Sequence, residues 1–181
     1  VFIHSTPTAL CPHITLALES VLDQAVSLDW IEQPLGRSLK RAEFSWTGEP
    51  GTGAKLASAL RGWDNVRYEV TEEPSAGIDG GRWSHTPSLG IHHSWISASG
   101  DAVVNEDRLK EVLLLAQGSS EAIEDMLGEL LGADWDAELE PFRHAGDGVA
   151  VRTAQAQPPA PDPLPVARAM WSASTSRWTS L

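Results

Sequence analysis

Short runs in which apolar and polar residues alternate are separated by stretches in which apolar residues recur every three or four positions. The alternating runs are typical of half-buried strands, and they lie at 1–5, 26–30, 41–46 and 66–70. The stretches with helical spacing are typical of amphipathic helices, and their apolar faces lie at 14–22 and 56–63. Residues 1–73 are therefore predicted to run strand, helix, strand, strand, helix, strand.

This element order is that of the ferredoxin-like βαββαβ fold, in which two strand–helix–strand units share one antiparallel sheet. Because each unit crosses over right-handed, both helices are expected on the same face of the sheet. The opposite face is expected to carry polar side chains, namely Asp29, Arg41, Glu43, Ser45, Arg67, Glu69 and Thr71. Two interpretations remain open. The face is solvated or partly covered and holds cross-strand ion pairs, or it docks a partner chain or the second half of this protein.

A hairpin and a small helical segment are predicted after the ferredoxin-like core of residues 1–73. Residues 74–104 contain short alternating runs and are predicted as a hairpin extension, and helical spacing continues through 105–143. The expected helix starts are Cys11, Asn105, Ser119–Ser120 and Asp134, and Pro141 is the expected end of the last helix. Residues 1–147 are therefore predicted as a single α+β domain.

Residues 148–181 lose this periodicity and are predicted as a disordered, proline-rich tail. The stretch 155–165, QAQPPAPDPLP, favours extended polyproline conformations that are typical of linkers. Trp171 and Trp178 are isolated in the polar end of the chain. The alternative to a tail without function is a short linear motif that anchors a partner through these two indole rings.

Charge is unevenly distributed over the 181 residues, whose formal net charge is −12. Residues 101–147 hold 13 acidic and 3 basic side chains. Because a nucleic-acid surface needs a basic stripe, this composition argues against nucleic-acid binding. No apolar run is long enough to span a bilayer, so no membrane association is predicted. The single cysteine excludes an internal disulfide and is typical of a reducing compartment, so we expect the protein in the cytoplasm.

The glycine-rich turn before the second helix is the loop whose residues best suit a ligand. The stretch from Gly48 to Lys55, GEPGTGAK, is similar to a phosphate-binding loop, but Ala54 intrudes before the lysine and Leu56 occupies the place of a magnesium-ligating hydroxyl. Nucleotide hydrolysis is therefore not predicted. Free N–H groups at a helix N-terminus still favour an anion. The predicted ligand-binding residues are Gly51, Thr52, Gly53 and Lys55, and the alternative is a tight turn without a ligand.

A second group of reactive side chains lies near the start of the first helix. A helix N-terminus lowers the pKa of a thiol, so Cys11 with His13 or His4 could form a thiolate-based catalytic site. The alternative is a buried structural cysteine. These residues lack the second pair of ligands that zinc sites have, and the adjacent His92 and His93 point to opposite faces of a strand. No metal site and no cofactor is predicted.

Several long stretches resemble one known family. VFIHSTPTALCPH at residues 1–13 and WTGEPGTGAKLASALRGW at 46–63 are similar to sequences of an uncharacterised actinobacterial family that is catalogued only as a domain of unknown function. RYEVTEEPSAG, HTPSLG and VNEDRL extend the resemblance over residues 1–147. The resemblance implies a small cytoplasmic protein, and it supplies no activity, cofactor or catalytic residue.

The leading hypothesis is a non-enzymatic α+β module that binds a partner protein or a small anionic effector. It rests on the predicted core, on the loop suited to an anion, and on the lack of an assembled acid–base–nucleophile set. A partner would dock on the polar sheet face or on the acidic helices of residues 105–143. The two alternatives are a small enzyme with a Cys/His-based site and a structural subunit of a larger complex.

Overall fold

An antiparallel sheet of seven strands organises residues 1–145, which are the residues that the computed structural model describes. The strands are β1 (Phe2–Pro7), β2 (Ile31–Glu32), β3 (Leu39–Glu43), β4 (Arg67–Glu72), β5 (Gly80–Thr86), β6 (Gly90–Ile96) and β7 (Ala102–Val103). Their order across the sheet is β2-β3-β1-β4-β5-β6-β7. The helices are α1 (Cys11–Leu22), α2 (Thr52–Leu60), α3 (Glu106–Ala116), α4 (Ser120–Leu131) and α5 (Ala133–Arg143).

The main hydrophobic core lies between one face of the sheet and the helices α1 and α2. Ile3 of β1 pairs with Ala42 of β3 on one side and with Tyr68 of β4 on the other, so these side chains share a face. The helices add buried apolar side chains, chiefly Ile14, Leu18, Leu56 and Leu60. Each buried leucine contributes about 2 kcal/mol of hydrophobic stabilisation. The α+β class is therefore confirmed, and α1 and α2 both pack into this core.

The strand predicted at residues 26–30 was wrong, because this stretch forms no regular element and β2 is confined to the two residues that follow it. Its alternating apolar side chains, Val26, Leu28 and Trp30, pack against the core from a loop. The alternation therefore reflects loop residues that contact the core, not a pleated strand. The next strand is also displaced, since β3 ends at Glu43 and the predicted strand positions Phe44 and Trp46 pack on the core beyond it.

Helix boundaries agree with the predicted capping residues at two helices and differ at the others. Asn105 accepts a hydrogen bond from the N–H of Asp107 at 2.8 Å, and Ser119 caps α4 in the same way, so both caps are confirmed. Cys11 is already inside α1, which follows Leu10. The start predicted at Asp134 was also wrong, because α5 begins after Gly132, whose φ of 79° suits a residue without a side chain.

The prediction that Pro141 ends the last helix was also wrong, since α5 continues to Arg143. Proline removes one backbone N–H from this final turn. The two residues after it compensate by contacting the sheet, because Phe142 lies under the guanidinium of Arg67 and Arg143 bonds to Glu69. Tertiary contacts therefore hold a turn that local chemistry would end.

The predicted hairpin extension continues the main sheet. β5 pairs with β4 over five residues and with β6 over seven, so the sheet grows outward from the first half of the chain. α5 then packs on the face opposite α1 and α2, where Leu139 is fully buried and the Trp135 Nε1–H donates to the Gly90 carbonyl at 3.0 Å. No helix within residues 1–145 combines the length and apolar character needed to cross a membrane. The predicted tail at 148–181 lies outside the described residues.

Candidate functional site

The polar sheet face predicted from the strand pattern is partly covered by α5. Arg67 on β4 donates to Glu138 of the helix at 3.0 Å, and its guanidinium lies 4.4 Å from the centre of the Phe142 ring. Glu138 also accepts a hydrogen bond from Ser88, beyond β5. Of the interpretations left open for this face, the contacts agree with a partly covered face, because its polar residues bind a helix that comes about seventy residues later in the chain.

At the centre of this face, Glu69 on β4 accepts hydrogen bonds from three side chains. His4 Nε2 donates to Glu69 Oε2 at 2.7 Å, and Ser84 Oγ donates to Oε1 at 3.4 Å. Arg143 binds both oxygens, through Nε at 2.9 Å and Nη2 at 2.6 Å. Arg143 Nη2 also donates to Asp136 at 2.6 Å. We call these five residues the Glu69 cluster.

A β-bulge helps to place the histidine of this cluster. The register of β1 shifts on both sides just after Ile3, where His4 follows. Bulges re-aim side chains and are common next to functional sites. Gln33 secures the same point by donating to the His4 carbonyl at 2.7 Å, and the Phe2 ring stacks on the imidazole at 6.1 Å between centroids.

The electrostatics of the Glu69 cluster favour full ionisation of its central pair. Burial raises the pKa of Glu69, but hydrogen bonds from His4 and Arg143 outweigh burial and lower the pKa to about 2. Burial likewise opposes the charge of Arg143, yet Glu69 and Asp136 raise its pKa above the ordinary value. Glu69 and Arg143 are therefore both ionised at neutral pH, and their hydrogen bonds hold them in place.

Beside the Glu69 cluster, an open cleft of about 560 Å³ lies on the sheet face between β1, β3 and the end of α5. Its apolar lining residues are Phe2, Ile3, Ile31 and Ala42, and its polar lining residues are His4, Asp29, Arg41, Glu43, Glu69, Arg143 and His144. A cleft of this size, which combines apolar surface with convergent polar groups, is large enough for a small molecule. We call it the sheet-face cleft.

Two carboxylates of the cleft differ from Glu69 in having no hydrogen-bonded partner. Asp29 and Glu43 are exposed, and neither carboxylate makes a hydrogen bond or an ion pair with any residue in 1–145. Glu43 lies directly across β1–β3 from Phe2, a residue that is 45% exposed. The cleft therefore presents an aromatic ring and accessible negative charge side by side.

At the glycine-rich loop, the chain supplies its own anion. The N–H groups of Gly51 and Gly53 donate to the two carboxylate oxygens of Glu72 at 2.5 and 2.6 Å. Thr52 donates through both its N–H and its hydroxyl to the Glu49 carbonyl. Of the predicted ligand-binding residues, Lys55 alone has an exposed side chain without a hydrogen bond in the described region. An external anion would have to displace Glu72.

The predicted Cys/His group is not assembled. In residues 1–145 no hydrogen bond links Cys11 to His4 or His13, and the thiol makes only a weak contact of 4.0 Å to the Pro7 carbonyl. Burial raises the pKa of Cys11, which is opposite to what a reactive thiolate needs. His4 instead belongs to the Glu69 cluster, and His13 is exposed.

The other histidines have separate partners. His85 contacts the Val66 carbonyl through Nδ1 and stacks on Tyr68, whereas His93 stacks on Trp83. No group of three or more metal-binding side chains occurs among the described residues. Arg143 was missed by sequence reasoning. Its spacing from Asp136 indicates a shared helix face, but nothing local points to Glu69.

One comparison with known proteins assigns a family. The profile of a family described as Protein of unknown function (DUF3145) matches residues 1–156. The chain belongs to this family. The match includes the β1 bulge, the glycine-rich loop and all five residues of the Glu69 cluster, so the site described above lies within the DUF3145 region. No curated protein and no solved structure matches the chain.

Proposed function

We propose that this DUF3145 protein is a non-enzymatic binding module whose small ligand occupies the sheet-face cleft. The observation that carries the proposal is that the Glu69 cluster lies beside two exposed carboxylates, those of Asp29 and Glu43, that form no hydrogen bond within residues 1–145. The charged groups of the Glu69 cluster form hydrogen bonds with one another, whereas the carboxylates of Asp29 and Glu43 form none within residues 1–145 and are accessible to a ligand. Side chains that are already held in place reduce the entropy cost of ordering a binding site around its ligand.

Three carboxylates and two guanidinium groups line the cleft, namely Asp29, Glu43, Glu69, Arg41 and Arg143, and we propose that its ligand is an amine. An ammonium group attracts both a carboxylate and the face of an aromatic ring, and the latter contact contributes about 0.5–2 kcal/mol. Phe2 and Glu43 offer these two surfaces on neighbouring strands. The net charge of −12 further raises the local concentration of cations around the protein.

Isothermal titration calorimetry with putrescine, spermidine and tetramethylammonium tests this proposal. We expect Glu43→Gln and Asp29→Asn each to weaken amine binding about tenfold, which is the effect of removing one charge-assisted hydrogen bond. Asp64→Asn is the matched control, since it removes an exposed carboxylate that does not line the cleft. Absence of heat with all three amines, or equal binding by the three variants, would refute the proposal.

The anionic effector at Gly51, Thr52, Gly53 and Lys55 is the second version of a binding function. The hydrogen-bonding capacity of the loop supports it, because two of its N–H groups already hold the carboxylate of Glu72. Inorganic phosphate should then stabilise Glu72→Gln more than the wild type in a thermal-shift assay. Lys55→Ala in the same background should remove the gain, and an unchanged response would exclude this version.

An acid–base enzyme is the second candidate function, and the His4–Glu69 hydrogen bond favours it. A carboxylate that orients an imidazole at the edge of a cleft is a common arrangement for a general base. This version differs from the predicted Cys11 enzyme, whose thiol has its pKa raised by burial and makes no hydrogen bond to His4 or His13 within residues 1–145. His4→Gln would abolish turnover of any substrate found, while amine binding without turnover in the wild type would favour the module.

Three broader proposals concern fold type, location and origin. The strand order β2-β3-β1-β4, with α1 and α2 on one face, supports a ferredoxin-like unit in the first half of the chain. The single cysteine supports a cytoplasmic location, and the stretches at 1–13 and 46–63 support an actinobacterial origin. The alternative of a structural subunit depends on a protein-binding surface beyond the cleft.

A further inference from the structure

A groove lined by both apolar and polar side chains lies at the other end of the sheet, between β6–β7 and the helices α3 and α4. Its volume is about 820 Å³. Four large apolar side chains that line it are substantially exposed, namely Trp95 at 52%, Val103 at 41%, Leu115 at 57% and Leu131 at 49%. Several exposed apolar side chains that line one groove mark an interaction site more often than isolated exposed leucines do. We call this feature the α3–α4 groove.

The rim of the α3–α4 groove is acidic. Asp107, Glu111 and Glu129 line it, and Arg108 is its single basic residue. Arg108 is already paired with Glu111 at 3.1 Å, whereas Glu129 makes no ion pair in the described part of the chain. The surrounding segment, residues 101–147, holds 13 acidic and 3 basic side chains. A ligand of this groove must therefore combine apolar and positive groups.

We propose that the α3–α4 groove binds a basic amphipathic helix of a partner protein. Such a helix carries apolar anchors about three and four residues apart and keeps its lysine and arginine side chains at the edges. The anchors would contact Leu115 and Leu131, and the basic residues would meet Glu111 and Glu129. A second copy of this chain fits the groove poorly, because it would bring one acidic segment against another.

Fluorescence anisotropy of the full chain with a labelled synthetic helix tests the proposal. The probe is a peptide of about 18 residues in which leucines and lysines follow helical spacing, long enough to form about five turns. We expect it to bind at least tenfold more tightly than a peptide of the same composition in scrambled order, or one with glutamate in place of lysine. Equal binding of the three peptides would overturn the proposal.

Substitutions at exposed positions locate the binding site without disturbing the core. Leu115→Ser and Leu131→Ser should each weaken probe binding about tenfold, as expected for loss of an apolar anchor. Leu114→Ser is the matched control, because Leu114 is 77% exposed on the same helix but does not line the groove. Equal loss in Leu114→Ser would show nonspecific adhesion and overturn the proposal.

Charge and self-association supply the remaining outcomes. Glu129→Lys should weaken probe binding at least fivefold, whereas Glu124→Lys, outside the groove on the same helix, should change it less than twofold. Light scattering then measures the mass of the chain without the probe. A dimer that Leu115→Ser dissociates would assign the groove to a second copy and overturn the proposal, whereas a monomer supports it.

Discussion

Replacing Glu69 with glutamine removes the central charge of the cluster on the sheet face. Glutamine keeps the size of the side chain but has one acceptor oxygen for the donors on His4 and Arg143. The Glu69 side chain is 10% exposed, so water cannot replace the missing hydrogen bonds. Removal of one partner from a buried charged network costs about 3–5 kcal/mol. Because Arg143 retains Asp136, we expect a loss near the lower end, about 3 kcal/mol at pH 7.

The pH dependence of this loss follows from the pKa of Glu69. The folded-state pKa of about 2 lies below the ordinary 4.5, so the unfolded chain takes up the proton first on acidification. The contribution of Glu69 is therefore complete above pH 4.5 and disappears as pH falls towards 2. The pKa difference corresponds to about 3 kcal/mol, which agrees with the loss expected for the substitution. Wild-type stability should decrease steeply in this window, and Glu69→Gln should follow a flatter curve.

Urea unfolding followed by tryptophan fluorescence measures both effects, since the chain contains 8 tryptophans. Free energies of unfolding at pH values of about 7, 5, 4 and 3, which bracket the titration window, are compared for wild type, Glu69→Gln and Glu43→Gln. Glu43 is the matched control, because it also pairs with Phe2 across the sheet but is exposed, and its carboxylate makes no hydrogen bond in the described region. Equal stabilities for the two variants at neutral pH, or a Glu69→Gln deficit that persists undiminished at the lowest pH, would contradict the reasoning.

Three further predictions concern the loop and the cysteine. Gly53→Ala should destabilise the fold by about 1–3 kcal/mol, because an added Cβ would lie 2.7 Å from Glu72 Oε2 and 2.8 Å from the Trp83 ring. Gly62→Ala should be neutral, since its Cβ would meet nothing within 4 Å. Thermal melts of both variants check this prediction. Glu72→Gln should lower the free energy of unfolding by about 1–2 kcal/mol through loss of a charged cap on two N–H groups, and an unchanged urea midpoint would exclude the cap. In the native protein, Cys11 should react with iodoacetamide at neutral pH at least tenfold more slowly than free cysteine, because burial raises the pKa of its thiol. A rate equal to that of free cysteine would contradict this prediction and support the thiolate hypothesis.

Periodicity predicted most elements and the sharing of sheet faces, because both depend on local geometry. Arg67 and Glu69 alternate with core residues on β4, and both contact α5 on the predicted polar face. Asp29, Arg41 and Glu43 were assigned to that face as well, and they line one cleft. The side on which a strand residue points is fixed by counting in twos.

The partners of those residues could not be predicted in the same way. Arg143 meets Glu69 across 74 positions of sequence, and Glu72 reaches Gly53 across 19. Both contacts depend on how separate elements dock. A packed loop also imitates strand alternation, which explains the wrong assignment of residues 26–30. Sequence patterns identified the polar groups, but only tertiary structure determines which of them are already satisfied.

The two candidate sites differ in whether their polar groups already form hydrogen bonds within the protein. At the glycine-rich loop, two N–H groups that suit an anion are bonded to Glu72, so a ligand gains little there unless it displaces a tethered carboxylate. In the sheet-face cleft, the Glu69 cluster is satisfied internally, but Asp29 and Glu43 accept no hydrogen bond from the described residues. A ligand charge placed beside them replaces water without breaking a hydrogen bond of the protein. Because affinity depends on how far new hydrogen bonds and ion pairs outweigh those that the ligand must break, we propose the cleft as the ligand site even though the loop has the more familiar motif.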